Sequence, residues 1–452
     1  MSREISGIST TVAAGLAVVL LVIGLVIGGF VLGPTMAPAR TVTAPGATVV
    51  RTETVVRTET REVAAGLRGE ILIGAILPLT GDLASYGENS RAAVELAERE
   101  VNEYLRSIGA GFTIKVLVED TETKPETADA KLKSLHARGV KLFVGPQTSA
   151  EIRRIKSYAD ANKLVLVSQS STAPDLAIPG DYIFRFCPDD TIQGPIGPRL
   201  AKQLGATHII YVWRGDAWGD GLYRSSSEEA RKLGLTIVEG IRYAPEKKEF
   251  AAEAKLLSDK VKELTGRGVA PERIMVEYVA FGEAVVFFST VADYPELARV
   301  KWFGSDGTAQ LAELVKDPKA AGFAAATKGI HPIFAATSSS KNAKVTDYVK
   351  SKLGREPDSY SYAAYDAVWV LTLALLQTGK YDGEAVQKAL PTAAANYFGA
   401  TGWINLNPAG DLAFADYVLW TVVRVGANFE WRNVGLYSFA AGTFSWTPGF
   451  TP

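Results

Sequence analysis

Cysteine is almost missing from this chain of 452 residues. Cys187 stands alone, which excludes an internal disulfide, a cysteine zinc cluster and a CxxC redox pair. It reads as a small buried apolar residue. Histidine is nearly as scarce: His136, His208 and His331 lie far apart without HExxH spacing, and all three read as structural or solvated. A charge excess is lacking too, with 48 Lys and Arg against 49 Asp and Glu, so bulk charge gives no reason to expect nucleic acid as a partner. Neither GxGxxG nor a GxSxG nucleophile elbow occurs, and no histidine stands near a candidate nucleophile, which leaves a dehydrogenase or hydrolase with little support. No cofactor, no metal and no enzymatic activity are therefore expected.

Charge is also absent from one long stretch. Between Glu4 and Arg40 there is no ionisable side chain of either sign, and Thr11 to Gly33 is almost wholly apolar (TVAAGLAVVLLVIGLVIGGFVLG). At 1.5 Å per residue such a helix reaches roughly 35 Å, enough for a hydrocarbon core of about 30 Å. Residues 1–33 are read as a leader and transmembrane anchor in preference to a cleaved secretory signal, for which the following MAPAR is the best argument. No cysteine follows the apolar run, so a lipoprotein anchor there is excluded. The start MSREISGISTTVAAG resembles the pilin-like signals of archaeal surface proteins, where cleavage after Gly7 would leave the anchor in place. Residues 34–69 turn to Thr, Val, Ala, Pro and alternating charge, with the echo VVRTET VVRTET at Val49 to Thr60. Too poor in large apolar residues for a core, this part reads as a tether, with a short hairpin or coiled segment as the plain alternative. The expected place of the rest is the cell surface, outside the membrane.

What remains is too long for one ordinary core and calls for two lobes. From Glu70 the sequence alternates strand and helix. Ile71 to Leu77 is a buried strand broken by Pro78 and Gly81; Val94, Ala97, Val101, Leu105 and Ile108 then share one helix face. TIKVLVED, a helix around Ala128 to Ala137, KLFVGP, a helix from Glu151 and LVLVSQ continue the series, the signature of a right-handed βαβ sheet. In FVGPQTSAEI and VSQSSTAPDL two apolar strands each run into a hydroxyl-rich turn and then a helix. Thr148 and Ser149 follow the first strand; Ser168, Ser170, Ser171 and Thr172 follow the second. Ligands of open parallel sheets sit outside the carboxyl ends of the strands, where short hydroxyls and helix-start N–H groups hold anions. Without glycine density or a Gly-Lys-Ser/Thr ending, the expected anion is small, such as a carboxylate. The competing reading is that Ser and Thr here are ordinary helix caps.

IGAILPLTGDLASYGENSRAAVELAEREVN, the pair VGPQTSAEI and VSQSSTAPDL, YIFRFCPDDTIQG, a YDAVWVL helix and FGATGWINLNPAGD occur in the order in which they stand in the branched-chain amino-acid binding proteins of ABC importers. From Glu70 to Pro452 the chain resembles that family. The resemblance implies a periplasmic-binding-protein type I fold: two doubly wound α/β sheets joined by a three-strand hinge. Residues 70–188 and 330–411 would form lobe 1, and 189–329 and 412–452 lobe 2. It also implies residue roles. Ser171 and Thr172, with the neighbouring Ser170, match the positions holding a ligand carboxylate through N–H and hydroxyl groups; Ser149, and with it Thr148, matches the adjacent hydroxyl donor. Tyr86 and Trp218 match aromatic cleft walls, although the family more often has tyrosine at the second. Phe281 matches a position that is aromatic or small, and Asp306 the acid that receives an amino group. Against these stand plainer readings: a helix cap for Asp306, core for Tyr86 and Phe281, loop packing for Trp218.

The function implied is extracytoplasmic capture of a branched-chain or related amino acid for importer permease subunits. An amide, urea or aromatic carboxylate is the alternative ligand. A sensing ectodomain would use the same fold but would need a cytoplasmic output domain, for which the residues ahead of the apolar run leave no room.

Overall fold

Between Gly69 and Arg185 five runs rich in Val, Ile, Leu and Phe are buried on both faces except at the outer edge, the pattern of a parallel sheet covered by helices. The computed structural model describes residues 66–452, together with the backbone of 43–44 and 47–48. The leader, the anchor and nearly all of the tether lie outside the described residues. Thr43–Ala44 and Ala47–Thr48 pair as two antiparallel strands, and Val63–Pro452 forms a unit of its own. Among the described residues no helix is long and apolar enough to cross a membrane.

The first block runs β1 (Gly69–Leu77), α1 (Ala84–Ser107), β2 (Phe112–Asp120), α2 (Pro125–Ala137), β3 (Leu142–Val144), α3 (Ser149–Ala161), β4 (Val165–Ser168) and β5 (Ile183–Arg185). All neighbours are parallel and the order is β2-β1-β3-β4-β5. On α1, Val94, Ala97, Val101 and Leu105 are buried along one face, as their spacing predicts.

One local expectation fails. The turn after β4 leads into a single 3₁₀ turn, Pro174–Leu176, and not into a helix. Pro174 can open a turn, but a second turn at Pro179 and Gly180, the glycine at φ 82°, follows within a few residues and leaves no run of residues to propagate a helix.

The second block repeats the theme: α4 (Asp190–Gln193), α5 (Ile196–Gln203), β6 (His208–Arg214), α6 (Ala217–Lys232), β7 (Thr236–Tyr243), α7 (Ala251–Gly266), β8 (Ile274–Val279), α8 (Ala284–Val291), β9 (Lys301–Phe303), α9 (Ala312–Lys316) and α10 (Pro318–Thr327). Its parallel sheet has the order β9-β8-β6-β7. Two lobes result, each an α/β sheet with its own helices.

The rest of the chain serves both. Strand β10 (His331–Phe334) leads to α11 (Ser340–Leu353), α12 (Ser359–Thr378) and α13 (Gly383–Ala395), of which α11 and α12 pack on α1 and α13 packs on α12 and β4. The chain then returns as β11 (Tyr417–Val425), β12 (Asn428–Ser438) and β13 (Thr443–Trp446), an antiparallel sheet of order β10-β11-β12-β13 packed on α9 and α10. Backbone bonds tie the crossing segments together: Arg185 N–H donates to Gly410 at 3.0 Å, Leu412 N–H to Arg185 at 2.8 Å, and Ala335 N–H to Asp416 at 2.7 Å.

Candidate ligand-binding cleft

Both sheets have a point where successive strands are added in opposite directions, between β1 and β3 in the first and between β6 and β8 in the second. A crevice opens at such a point outside the carboxyl ends of the strands. The two crevices meet. Leu83 and Tyr86 follow β1, Gln147, Thr148 and Ser149 follow β3, and Ser170 follows β4. Trp218 follows β6, Phe281 follows β8, and Asp306 with Gly307 follows β9. Tyr360 from the start of α12 completes the lining, which encloses a narrow space of about 20 Å³.

One wall is made of hydroxyls and N–H groups. Ser149 Oγ shares a 2.9 Å hydrogen bond with Ser171 Oγ and accepts the Ala173 N–H at 3.1 Å. Ser168 Oγ accepts the Ser171 N–H at 3.1 Å and donates to Pro146 O at 2.6 Å, which makes the turn rigid. Thr148 is spent on its helix: it caps α3, and the Glu151 carboxylate returns to its N–H and hydroxyl at 2.8 and 2.9 Å. Thr172 turns its hydroxyl away, donating to Asp190 Oδ2 at 3.0 Å. Thus Tyr86, Thr148, Ser149, Ser170, Trp218, Phe281 and Asp306 come together in the lining, while Ser171 and Thr172 stand behind it.

The facing wall is acidic and aromatic. Asp306, 4% exposed, accepts the Gln193 amide at 2.8 Å and the Tyr360 hydroxyl at 2.5 Å. Burial raises its pKa against the pull of those two donors. Close behind, Asp190 is fully buried, and its Oδ1 has no hydrogen-bond partner among the described residues. Burial, and then the negative charge of Asp306, pushes Asp190 well above the usual carboxylate range. Trp218 stacks on Phe281 with centroids 4.6 Å apart and 9° between planes. The Arg214 guanidinium lies 3.9 Å over the other face of Phe281, held by Asp216 at 2.7 Å and Glu283 at 2.6 Å. Gly307 must lack a side chain here, since a Cβ would lie 2.7 Å from Trp218 and 2.8 Å from Phe281.

Across the cleft the lobes touch. The Tyr86 hydroxyl donates to the carbonyls of Asp306 and Ala309 at 3.2 and 2.5 Å, and Ser85 Oγ to Glu313 at 2.8 Å. Gly282 N–H donates to Asp82 O at 3.0 Å, and the Asp82 carboxylate pairs with Lys248 at 3.1 Å.

Residues 70–422 match the family model described as periplasmic binding protein. The chain belongs to this family. An uncharacterised protein of Methanocaldococcus jannaschii is 30% identical over 86% of this chain and 94% of its own length. The leucine-, isoleucine-, valine-, threonine- and alanine-binding protein of Pseudomonas aeruginosa is 25% identical over 76% of this chain and 87% of its own. Among solved structures, a leucine-binding protein of Thermotoga maritima superposes with a TM-score of 0.66 at 20% identity, covering 80% of this chain and 97% of that one.

Within this binding protein, Leu83, Gln147, Gly307 and Tyr360 line the cleft unforeseen, and Asp190 and Gln193 act from behind it. Asp190 and Gln193 stand in the segment CPDDTIQG, but its neighbour Asp189 is a genuine helix cap, accepting the Thr191 N–H at 2.8 Å, and nothing in the spelling separates the two. Cys187 is buried, its thiol near Ser171 O at 3.4 Å. His331 is buried and bonded to Thr308 at 2.7 Å, and burial lowers its pKa to about 3. No cluster of metal-ligating side chains occurs among the described residues.

Proposed function

We propose that this periplasmic binding protein captures an α-amino acid between its lobes and presents it to the permease subunits of an ABC importer. The ligand carboxylate sits against the wall of Ser149 and Ser170, which Thr148 shapes as the cap of α3, with Ser171 and the backbone N–H of Thr172 contributing from the turn behind. The ammonium sits against Asp306, backed by Asp190. A branched aliphatic side chain fills the space between Tyr86, Leu83, Trp218 and Phe281. One observation carries this reading: two buried carboxylates, Asp306 and Asp190, approach without a cation of their own. Arg185, whose charge acts on Asp190, is already paired with Asp411. Buried charge is costly unless paired, so a cationic ligand group gains what the protein lacks.

In this reading residues 70–188 with 330–411 and 189–329 with 412–452 are the two bodies that close. The apolar segment within residues 1–33 holds them at the outer face of the membrane, after cleavage of a pilin-like leader or with no cleavage.

A second reading has its own support. The flat Trp218 and Phe281 stack also suits an aromatic carboxylate, which would leave the acidic wall without a charge partner. Calorimetry separates them. Leucine, isoleucine or valine should bind the wild type, and Asp306→Asn should weaken that binding by about 2 to 5 kcal/mol, roughly 30-fold to several thousand-fold. Binding of benzoate-like acids alone, or an unchanged affinity in Asp306→Asn, would remove the amino-acid reading.

A further inference from the structure

Arg185 ends β5, directly before the first crossing between the lobes, and it is completely buried. Its guanidinium forks onto Asp411 with Nε to Oδ1 at 2.5 Å and Nη2 to Oδ2 at 2.6 Å. Asp411 lies on the last crossing segment, whose neighbours Gly410 and Leu412 exchange backbone hydrogen bonds with Arg185 itself. The remaining arm does something different. Nη1 donates to Ser171 O at 3.2 Å and to Ala173 O at 2.8 Å, so it takes two carbonyls of the turn that backs the cleft.

A trans peptide sets its carbonyl and its N–H in opposite directions. Pinning Ser171 O on the guanidinium therefore turns the Thr172 N–H away from Arg185. The other contacts of this turn are polarised the same way: Ala173 N–H and the Ser171 hydroxyl both reach Ser149, which lines the cleft. Ser171 O and Ala173 O face the buried cation, Thr172 O is taken by the Asp190 N–H at 2.8 Å and the Ser171 N–H by Ser168 Oγ, which leaves the Thr172 N–H as the donor of the turn turned away from Arg185. We infer that Arg185 is a positioning residue: it aims the Thr172 N–H at the ligand carboxylate, and it ties that aim through Asp411 to the segments on which the lobes turn. This rests on the amino-acid reading above. Neither Arg185 nor Asp411 touches the ligand. A lysine could keep the charge, but its three donors on one atom could not hold both Asp411 oxygens in a planar fork and reach the two carbonyls as well.

Arg185→Met alone leaves Asp411 buried without a partner and risks misfolding, so the test uses Arg185→Met combined with Asp411→Leu. Replacing both members of a buried pair by apolar residues is commonly neutral for stability. In the full chain, calorimetry compares leucine with leucinamide, which keeps the ammonium and lacks the carboxylate. The double variant should lose affinity for leucine by about tenfold or more, while leucinamide changes less than about threefold. A merely structural role would weaken both ligands alike, and that result, or no change in either, overturns the inference. If wild type binds no leucine, the amino-acid reading itself has failed, and the crystal structure of the ligand-free double variant decides about Arg185. The Ser171–Thr172 peptide should then be rotated from its wild-type orientation, and an unmoved peptide refutes the positioning role.

Discussion

Glu277 sits in the middle of β8 in the second lobe, with Ser226 Oγ donating to it at 2.9 Å, Tyr211 behind that serine at 3.1 Å, and no cation beside it. Burial pushes its pKa up to about 8. An unfolded glutamate titrates at about 4.3, so between that pH and about 8 the unfolded chain releases a proton that the folded chain keeps. Stability is therefore fully present at low pH as far as this group is concerned, and falls as pH rises toward 8, by an amount on the order of a few kcal/mol. Denaturant midpoints taken from pH 5 to 9 should show that decline, and Glu277→Gln should flatten it; an identical slope in the variant would rule out Glu277 as its source. Thr172 offers a second check. Because its hydroxyl serves Asp190, Thr172→Val should weaken leucine binding by about 1 kcal/mol through the acidic wall. Leucinamide, which keeps the ammonium, should lose affinity equally; loss for leucine alone would assign the hydroxyl to the carboxylate. At this scale a residue is legible where its type has few uses: Asp306 in its WFGSDG turn does line the cleft, and its role toward an amino group is the proposal. A residue is hard to read where its type has many. Tyr360 hydrogen-bonds Asp306 across 54 positions of sequence from the start of an apolar helix, where a tyrosine looks like core.

Among elements, the strands were the legible part, since runs such as Val165–Ser168 and Ile274–Val279 are buried throughout and can hardly be anything else. The turn after β4 was not: a strand followed by a hydroxyl-rich turn announces a helix, and only the spacing of Pro174, Pro179 and Gly180 argues for the brief 3₁₀ turn that is found. The loops that bring the lobes together were equally silent, because their meaning lies in what they meet. Gly282 is the sharpest case. A Cβ there would sit 2.5 Å from Asp82 O, against backbone that cannot yield. Gly282→Ala should therefore hold the lobes apart, giving a larger radius in small-angle scattering with saturating ligand and at least tenfold weaker binding, about 1.4 kcal/mol. A scattering curve that superposes on wild type would show that this contact does not govern closure. Lys248→Ala is the control, since its pair with Asp82 is 70% exposed on the lysine side and should contribute at most about 1 kcal/mol.

For the whole molecule, chain length called for two lobes and alternating strand and helix for their α/β character, while the lobe order and extents came only with the family resemblance, because α11 and α12 pack on α1, and α13 on α12 and β4, elements completed well over a hundred residues earlier. Val63–Pro452 clusters as one compact unit, so a fragment beginning at Gly66 should be soluble and should bind the same ligand with the same affinity as the full chain. Aggregation of the fragment alongside a well-folded full chain would mean that the preceding residues belong to the fold. The join between Asp82 and Gly282 runs from one backbone to the other and involves no side chain. A permease that docks on the closed lobes would thus meet the same outer shape whatever lies inside. In the proposed role, the message passed on would then be binary, occupied or empty, with chemical discrimination completed before the transporter is engaged.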